Sequence, residues 1–379
     1  MNLENYRQEI DAIDHQLLEL FCRRMAVAEK IGDYKRQHNL PVFNAARERE
    51  ILYRIAEEAG EDFGTYARQL YQNIFELSRA RQHSLQPDAG NLAEEISAAL
   101  EKTPKIFPAA ASVACQGIEG AYSQLVASRL FPQGRISFFK SWDAVFNAVE
   151  KGLCQYGVLP IENSTRGTVL EVYDLMKHHN FQIVRSIKVQ VNHVLLARKG
   201  ASLQSIREIY SHEQALGQCS RFLQAHPEIK THICENTAVA ARMAAESGRD
   251  DVAAIASVSC AELYDLKIVA EGIQNAQANF TRFICISKKR EIYPGANRIS
   301  LMLALPHQPG ALCQLMSRFV AMGINLLKLE SRPIPGRDFE FLFYFDLEGS
   351  IYDPQIVKLL SQLNAGPELF VLLGAYCEV

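Results

Sequence analysis

Asn279-Phe280-Thr281-Arg282-Phe283 sets one hydroxyl and one guanidinium between aromatic rings, at the mouth of an apolar run, Phe283-Ile284-Cys285-Ile286. A short apolar run bounded by polar residues predicts a buried β-strand. A polar loop over 272–279 delivers the chain into it. A basic patch, Lys288-Lys289-Arg290, and the pair Pro294-Gly295 close it off. Alone, the segment supports nothing beyond a strand start with a surface Thr-Arg pair. Its functional reading depends on the rest of the chain.

The chain has 379 residues, 48% hydrophobic and 22% charged, with a net charge of −3. That length exceeds one ordinary core and predicts two or three domains. The near-neutral balance offers nucleic acid no basic field. No apolar run is long enough to predict a membrane span. The start, Met1-Asn2-Leu3-Glu4-Asn5, lacks a basic-then-apolar signal pattern, so a cytoplasmic location is expected. The nine cysteines form no Cys-x-x-Cys pair and read as reduced core residues. No cofactor and no metal are expected.

Towards the N-terminus, Tyr6, Ile10, Ile13, Leu17, Leu20, Val27, Ile31 and Tyr34 recur four and three apart, the seam of an amphipathic helix. Arg24 interrupts it. A charge on a buried stripe is costly unless paired, so Arg24 calls for an anionic partner: a ligand, or Asp33 or a neighbouring carboxylate. Lys35, about three turns on, returns to nearly the same face. A helix over 3–38 would be about 54 Å long. A compact domain of about 90 residues has a radius of gyration of only about 12 Å, so the helix is expected to pack against a copy of itself. Arg7 lies about 25 Å from Arg24 along the axis and would reach that site only from an antiparallel partner. Pro41 should end the helix. A second helix carries Arg47-Glu48-Arg49-Glu50, and a third, over 63–82, turns Leu70, Ile74, Phe75 and Leu77 inward.

Arg7, Arg24, Lys35, Arg47, Glu48, Ser78 and Gln82 resemble, in order and spacing, the all-helical chorismate mutases over residues 1–84. That family rearranges chorismate to prephenate by a concerted pericyclic shift, which needs no nucleophile. The resemblance implies that Arg24 and a partner copy's Arg7 grip the carboxylates, supported by Arg47. Lys35 and Gln82 would donate to the ether oxygen, and Glu48 would hold the ring hydroxyl. Such donors stabilise charge that grows in the transition state. Asn44 stands where many relatives carry Asp, so its contact would be uncharged.

Gln86-Pro87-Asp88-Ala89-Gly90 marks a break before a short helix over 92–100. From Ser112, strands over 112–115, 136–139, 156–161, 191–196 and 252–256 alternate with helices over 122–131 and 142–150, an α/β pattern expected in two lobes. Three polar loops follow strands: 117–123, 162–168 and 211–216. The first fails the Walker and dinucleotide spacings. The second, Glu162-Asn163-Ser164-Thr165-Arg166-Gly167-Thr168, is expected to open a helix as an anion site, as is Ser211-His212-Glu213. No Gly-x-Ser-x-Gly elbow supports a hydrolase. His178, His179 and His212 lack metal-ligand spacing.

Gly-x-x-Gly-Ala-Tyr-Ser, Pro-x-Glu-Asn-Ser and Thr-Arg-Phe, in this order, are similar to prephenate dehydratases over 105–287. The resemblance implies loss of carbon dioxide and water from prephenate to give phenylpyruvate. Thr281 would donate to the departing hydroxyl, with Glu162 as second candidate. Arg282 would anchor carboxylate, and Asn163, Ser164, Ser211 and Phe283 would line the site. From Arg298 a βαββαβ order predicts a ferredoxin-like fold. Following a dehydratase-like domain, Pro309-Gly310-Ala311-Leu312 and Glu330-Ser331-Arg332-Pro333 resemble an ACT domain. That implies phenylalanine as effector, held by Gly310, Ala311, Leu312, Glu330, Ser331 and Arg332 at an interface between copies.

The expected whole is multidomain: an all-α mutase domain of three helices in an intertwined dimer (1–90), a linker (91–104), a two-lobed α/β dehydratase domain (105–287) and an α+β ACT domain (298–379). The expected function is phenylalanine biosynthesis from chorismate under feedback by phenylalanine, in a homodimer or higher oligomer without nucleic acid or membrane partners. Two rivals are a dehydratase whose helical domain only dimerises and a non-catalytic sensor.

Overall fold

The computed structural model describes residues 3–38, 40, 44–84, 91–276, 278–307, 309–334, 340–366 and 369–379. Pro41, the break over 86–90 and Phe339, where one strand was expected to begin, lie outside the described residues. Packing divides the chain into two compact units. One comprises Met1–Ser97, Met302–Tyr344 and Tyr352–Val371, the other Ala98–Leu301, Phe345–Ile351 and Leu372–Val379.

Three helices open the chain: α1 (Leu3–Gln37), α2 (Ala45–Glu58) and α3 (Gly60–Ser84). Asn44 starts α2 by accepting from the Arg47 backbone N–H at 3.1 Å, an N-cap that satisfies one orphan donor. α3 packs on both α1 and α2. Gly32 permits the α1–α3 approach, since a Cβ there would lie 3.0 Å from Gln82 Cγ. Phe75 is buried, but Leu70 and Leu77 are exposed, contrary to their expected inward placement. The eight seam residues of α1 are likewise 46–58% exposed. The physical reason is the same for both groups: three helices of one chain cannot cover every apolar face that they present.

After α4 (Leu92–Lys102) come β1 (Ser112–Gln116), α5 (Tyr122–Leu130), β2 (Arg135–Phe139), α6 (Trp142–Glu150), β3 (Tyr156–Asn163), β4 (Gly167–Thr168), α7 (Leu170–Met176) and β5 (Gln182–Gln190). The chain continues through β6 (His193–Ala197), β7 (Glu208–Ser211), α8 (Glu213–Gln218), α9 (Ser220–Gln224), β8 (Lys230–Ile233), α10 (Thr237–Glu246), β9 (Val252–Ser257), α11 (Ser259–Leu263), β10 (Lys267–Ala270) and β11 (Phe280–Ser287). Two sheets result. One runs β5-β11-β3-β1-β2 with β4 beside β3, and the other runs β10-β6-β9-β7-β8. β11 is therefore an interior strand, paired antiparallel on both sides, which is why residues 283–286 are continuously apolar and buried.

Two expectations need correction. The stretch 162–168 closes a hairpin between β3 and β4, and the helix that follows, α7, opens only after it, at Leu170. The expected strand over 191–196 is preceded by a further strand, β5, in which Arg185 and Lys188 interrupt the apolar run and conceal it from a hydrophobic pattern.

The remaining elements are β12 (Arg298–Ala304), α12 (Ala311–Ala321), β13 (Asn325–Pro333), β14 (Phe341–Glu348), α13 (Pro354–Asn364) and β15 (Phe370–Glu378). Their strands are ordered β13-β14-β12-β15, and Cys377 and Glu378 of β15 pair in parallel with Arg185 and Ser186 of β5. All nine cysteines are free, but Cys22 and Cys313 are exposed rather than in a core. Among the described residues no helix is long and apolar enough to cross a membrane.

Candidate active sites

Asn163 ends β3 directly opposite Thr281 of β11, and directly opposed residues share a face. The Asn163 amide Nδ2 donates to Thr281 Oγ1 at 2.9 Å and to Asn279 Oδ1 at 2.8 Å. Its Oδ1 accepts from the backbone N–H of Thr165 and of Arg166, both at 3.0 Å, and from the Thr165 hydroxyl at 2.7 Å. This tight turn fixes which end of the amide faces Thr281. Because Thr281 accepts here, its own proton is left for a further acceptor.

Gln218, the last residue of α8, completes the arrangement. Its Nε2 donates to Thr165 Oγ1 at 3.2 Å, and its Oε1 accepts from Asn279 Nδ2 at 3.2 Å. His193 Nε2 lies 2.9 Å from the same Oε1 and must donate to it. Burial lowers the pKa of His193, which is 4% exposed, so the ring is held neutral. Its buried Nδ1 has no hydrogen-bond partner among the described residues. Gln218, Asn279, Thr165 and His193 were not singled out in the sequence. Asn279 and Thr165 lay inside quoted stretches, but nothing in their spacing marked them.

Arg282 does not stand beside Thr281 as an anion anchor. Successive strand residues face opposite ways, so its guanidinium points to the other side of the sheet and pairs with Asp346. Glu162, opposite Arg282, shares that side, its Oε2 3.6 Å from Arg282 Nε. A bulge between Arg282 and Phe283 interrupts the β3–β11 register at this point, a common device beside functional sites. Phe283 belongs to the core, packed with residues such as Val158 and Cys285. Ser211 is fully buried and donates to the Ile255 carbonyl at 2.6 Å. Ser164 staples the strand entrance, accepting from Phe280 N at 2.9 Å.

In the helical segment, Arg24 Nη1 donates to Ser78 Oγ at 2.6 Å, and the guanidinium lies 5.4 Å from the Phe75 ring centre. Burial lowers the Arg24 pKa, as expected for a charge on an apolar stripe. Gln82 is buried, and its Oε1 has no hydrogen-bond partner among the described residues. Lys35 is half-buried on α1. Glu48 pairs with Arg79 of α3. Arg7 and Arg47 are exposed and pair within their own helices, at 3.6 Å to Glu4 and 2.7 Å to Glu50. Asp33 pairs with Arg36 at 2.7 Å and does not serve Arg24.

In the C-terminal segment Gly310 is the N-cap of α12 with φ +86, a left-handed conformation that favours glycine. Ala311 is buried and Leu312 half-buried. Glu330, Ser331 and Arg332 lie on β13, with Ser331 exposed and its two neighbours half-buried.

Residues 6–83 match the family model of chorismate mutase type II, and residues 113–291 match that of prephenate dehydratase. The bifunctional chorismate mutase/prephenate dehydratase of Escherichia coli K12 is 31% identical over 98% of this chain and 95% of its own length. The prephenate dehydratase of Arthrobacter aurescens, solved in complex with L-Phe, is 26% identical with a TM-score of 0.64, over 70% of this chain and 89% of its own. GqqA, described as a novel type of quorum quenching acylase, is 28% identical with the same TM-score, over 71% of this chain and 98% of its own. With both models matched and a bifunctional relative aligned from end to end, this chain belongs to the family of bifunctional chorismate mutase/prephenate dehydratases.

Proposed function

We propose that the Thr281 centre performs the dehydratase step and the Arg24 centre the mutase step of phenylalanine formation from chorismate, under control by phenylalanine. The observation that carries the first assignment is the direction of the Asn163–Thr281 hydrogen bond. A hydroxyl already accepting from an amide turns its proton outward, towards the hydroxyl that leaves as prephenate becomes aromatic. Aromatisation supplies the driving force, so a hydrogen bond to the leaving oxygen is the help required.

One feature supports the mutase assignment: the half-buried Arg24 cation beside Ser78, on the same face of the helices as the buried Gln82. Arg24 would grip a carboxylate, while Lys35 and the Gln82 amide donate to the ether oxygen and Glu48 holds the ring hydroxyl. Arg7 would come from a second copy, docked on the exposed seam of α1. These side chains are about half exposed, so covering each would contribute half of the roughly 1.5–3 kcal/mol of a full burial, which favours a dimer.

The βαββαβ order with strands β13-β14-β12-β15 supports a ferredoxin-like ACT domain over 298–379. The amide-rich start of α12 behind Gly310 suits an amino-acid carboxylate, and the exposed Leu327, Leu329 and Ser331 side of β13 suits an interface between copies. Phenylalanine in the Arthrobacter relative supports the same effector here. Incubation with chorismate, with and without phenylalanine, tests the proposal. Phenylpyruvate should form and phenylalanine should suppress it, and a chain that leaves chorismate intact would contradict the assignment.

A further inference from the structure

Thr281 and Asn163 face one side of the β3–β11 pair, while their chain neighbours Arg282 and Glu162 face the other. A single guanidinium therefore reaches the back of both strands that carry the dehydratase centre. Arg282 is 8% exposed, and its partner Asp346 on β14 is 7% exposed. Arg282 Nη2 donates to Asp346 Oδ2. The other carboxylate oxygen, Oδ1, accepts from Ser300 Oγ of β12 at 2.6 Å, and Ser300 Oγ lies 2.7 Å from the Tyr376 hydroxyl of β15. Ser300 and Tyr376 are 2% and 1% exposed.

The network thus joins Arg282 to three strands of the C-terminal segment, and every member is buried. A buried ion pair is a weak source of net stability compared with apolar packing, although losing one partner is costly. Its firm consequence here is position. The carboxylate is held at both oxygens, so the guanidinium has one place to sit, and Thr281 follows through the peptide bond. Close seating of β15 on β5 points the same way: a Cβ at Gly374 would clash with the Ile183 backbone.

We propose that Asp346 is a positioning residue for the dehydratase centre: acting through Arg282, it sets Thr281 and Asn163, so that β12, β14 and β15 govern dehydratase turnover. This rests on the assignment of the Thr281 centre to the dehydratase step. The mutase reaction uses residues of the other compact unit and serves as an internal measure of that unit's folding and of protein concentration, while an unchanged KM for prephenate reports an intact dehydratase site.

The experiment compares full-length Asp346→Asn, Asp346→Glu and Ser300→Ala with the parent, using prephenate for one activity and chorismate consumption for the other. A displacement of the hydroxyl by a fraction of an ångström should lower the dehydratase kcat of Asp346→Asn by about 10- to 100-fold, with KM for prephenate and mutase turnover within about threefold. Asp346→Glu, which keeps the charge, should recover part of the loss. Ser300→Ala releases one carboxylate oxygen and should lower kcat by a smaller factor, about 3- to 10-fold. A dehydratase kcat within about twofold of the parent in an Asp346→Asn protein with intact mutase activity overturns the proposal, as does a change confined to KM. If Asp346→Asn fails to fold, losing both activities, Ser300→Ala decides alone, and an unchanged kcat overturns the proposal. Thr281→Ala, run in parallel, separates the two layers. Retained dehydratase activity there refutes the assignment of the centre, whatever Asp346 does.

Discussion

Asn163 Nδ2 and Thr281 Oγ1 are 2.9 Å apart across the β3–β11 pair, and the amide is the donor. The turn over 163–166 fixes that direction, because the Asn163 carbonyl oxygen is already taken by Thr165 and Arg166. A centre built this way depends on both side chains.

Thr281→Ala should lower dehydratase kcat by about 10²- to 10⁴-fold, the usual range for losing a positioned proton donor. Prephenate should then accumulate from chorismate at an unchanged mutase rate, which coupled and single-step assays distinguish. Asn163→Asp reverses the hydrogen bond and turns the Thr281 proton inward. It should depress kcat comparably while leaving the strand pairing in place.

His193 predicts an acid limb in stability. Burial holds its pKa below the ordinary 6.5, so above that value it is neutral in both folded and unfolded chains. Below 6.5 the unfolded chain takes up the proton first, and stability falls as pH drops towards the lowered folded value. The contribution approaches about 1.4 kcal/mol per pH unit within that window. Urea unfolding between pH 5 and 7 should therefore be steeper in pH for the parent than for His193→Asn, once the shared carboxylate background is subtracted. Parallel curves for the two proteins would count against a neutral buried His193.

Asn44 is a helix cap, and its substitution should act through stability. Asn44→Ala should cost about 1 kcal/mol, read from denaturant midpoints. Asn44→Asp preserves the cap and places a negative charge at the start of α2, a change of a few tenths of a kcal/mol in the stabilising direction. Mutase turnover by Asn44→Asp should match the parent.

The α1 seam predicts a shared mutase site. Leu17→Lys with Ile10→Lys should yield monomers in sedimentation and abolish mutase activity. Mixing separately inactive Arg7→Ala and Arg24→Ala chains, after unfolding and refolding together, should restore about a quarter of the parental activity through hybrid dimers in which one site is intact. No recovery in the mixture would place Arg7 outside the site.

Phenylalanine should suppress phenylpyruvate formation by the intact chain, and Ser331→Ala or Arg332→Ala should relieve that suppression. Dose–response curves on the three proteins measure it. Identical curves would remove β13 from the effector site.

Periodicity alone made α1 legible, because a 3.6-residue repeat needs no partner to be recognised, and Arg24 stood out as the single polar break in it. The apolar run after Thr281 marked β11 for the same reason, and strand-then-helix alternation marked most of the α/β fold. The resemblance carried the choice of reactions, which composition and spacing did not supply. What the sequence could not settle concerned pairing between distant segments. Arg282 adjoins Thr281 in the chain, yet strand alternation sends it to the opposite face, to a carboxylate 64 residues away. Gln218 and Asn279 meet only because α8 and the loop before β11 converge on the hairpin that follows β3. Chain order determined which side chains were available, whereas register, bulge and sheet order decided which way each one faced. Those depend on long-range hydrogen bonding that no local pattern encodes.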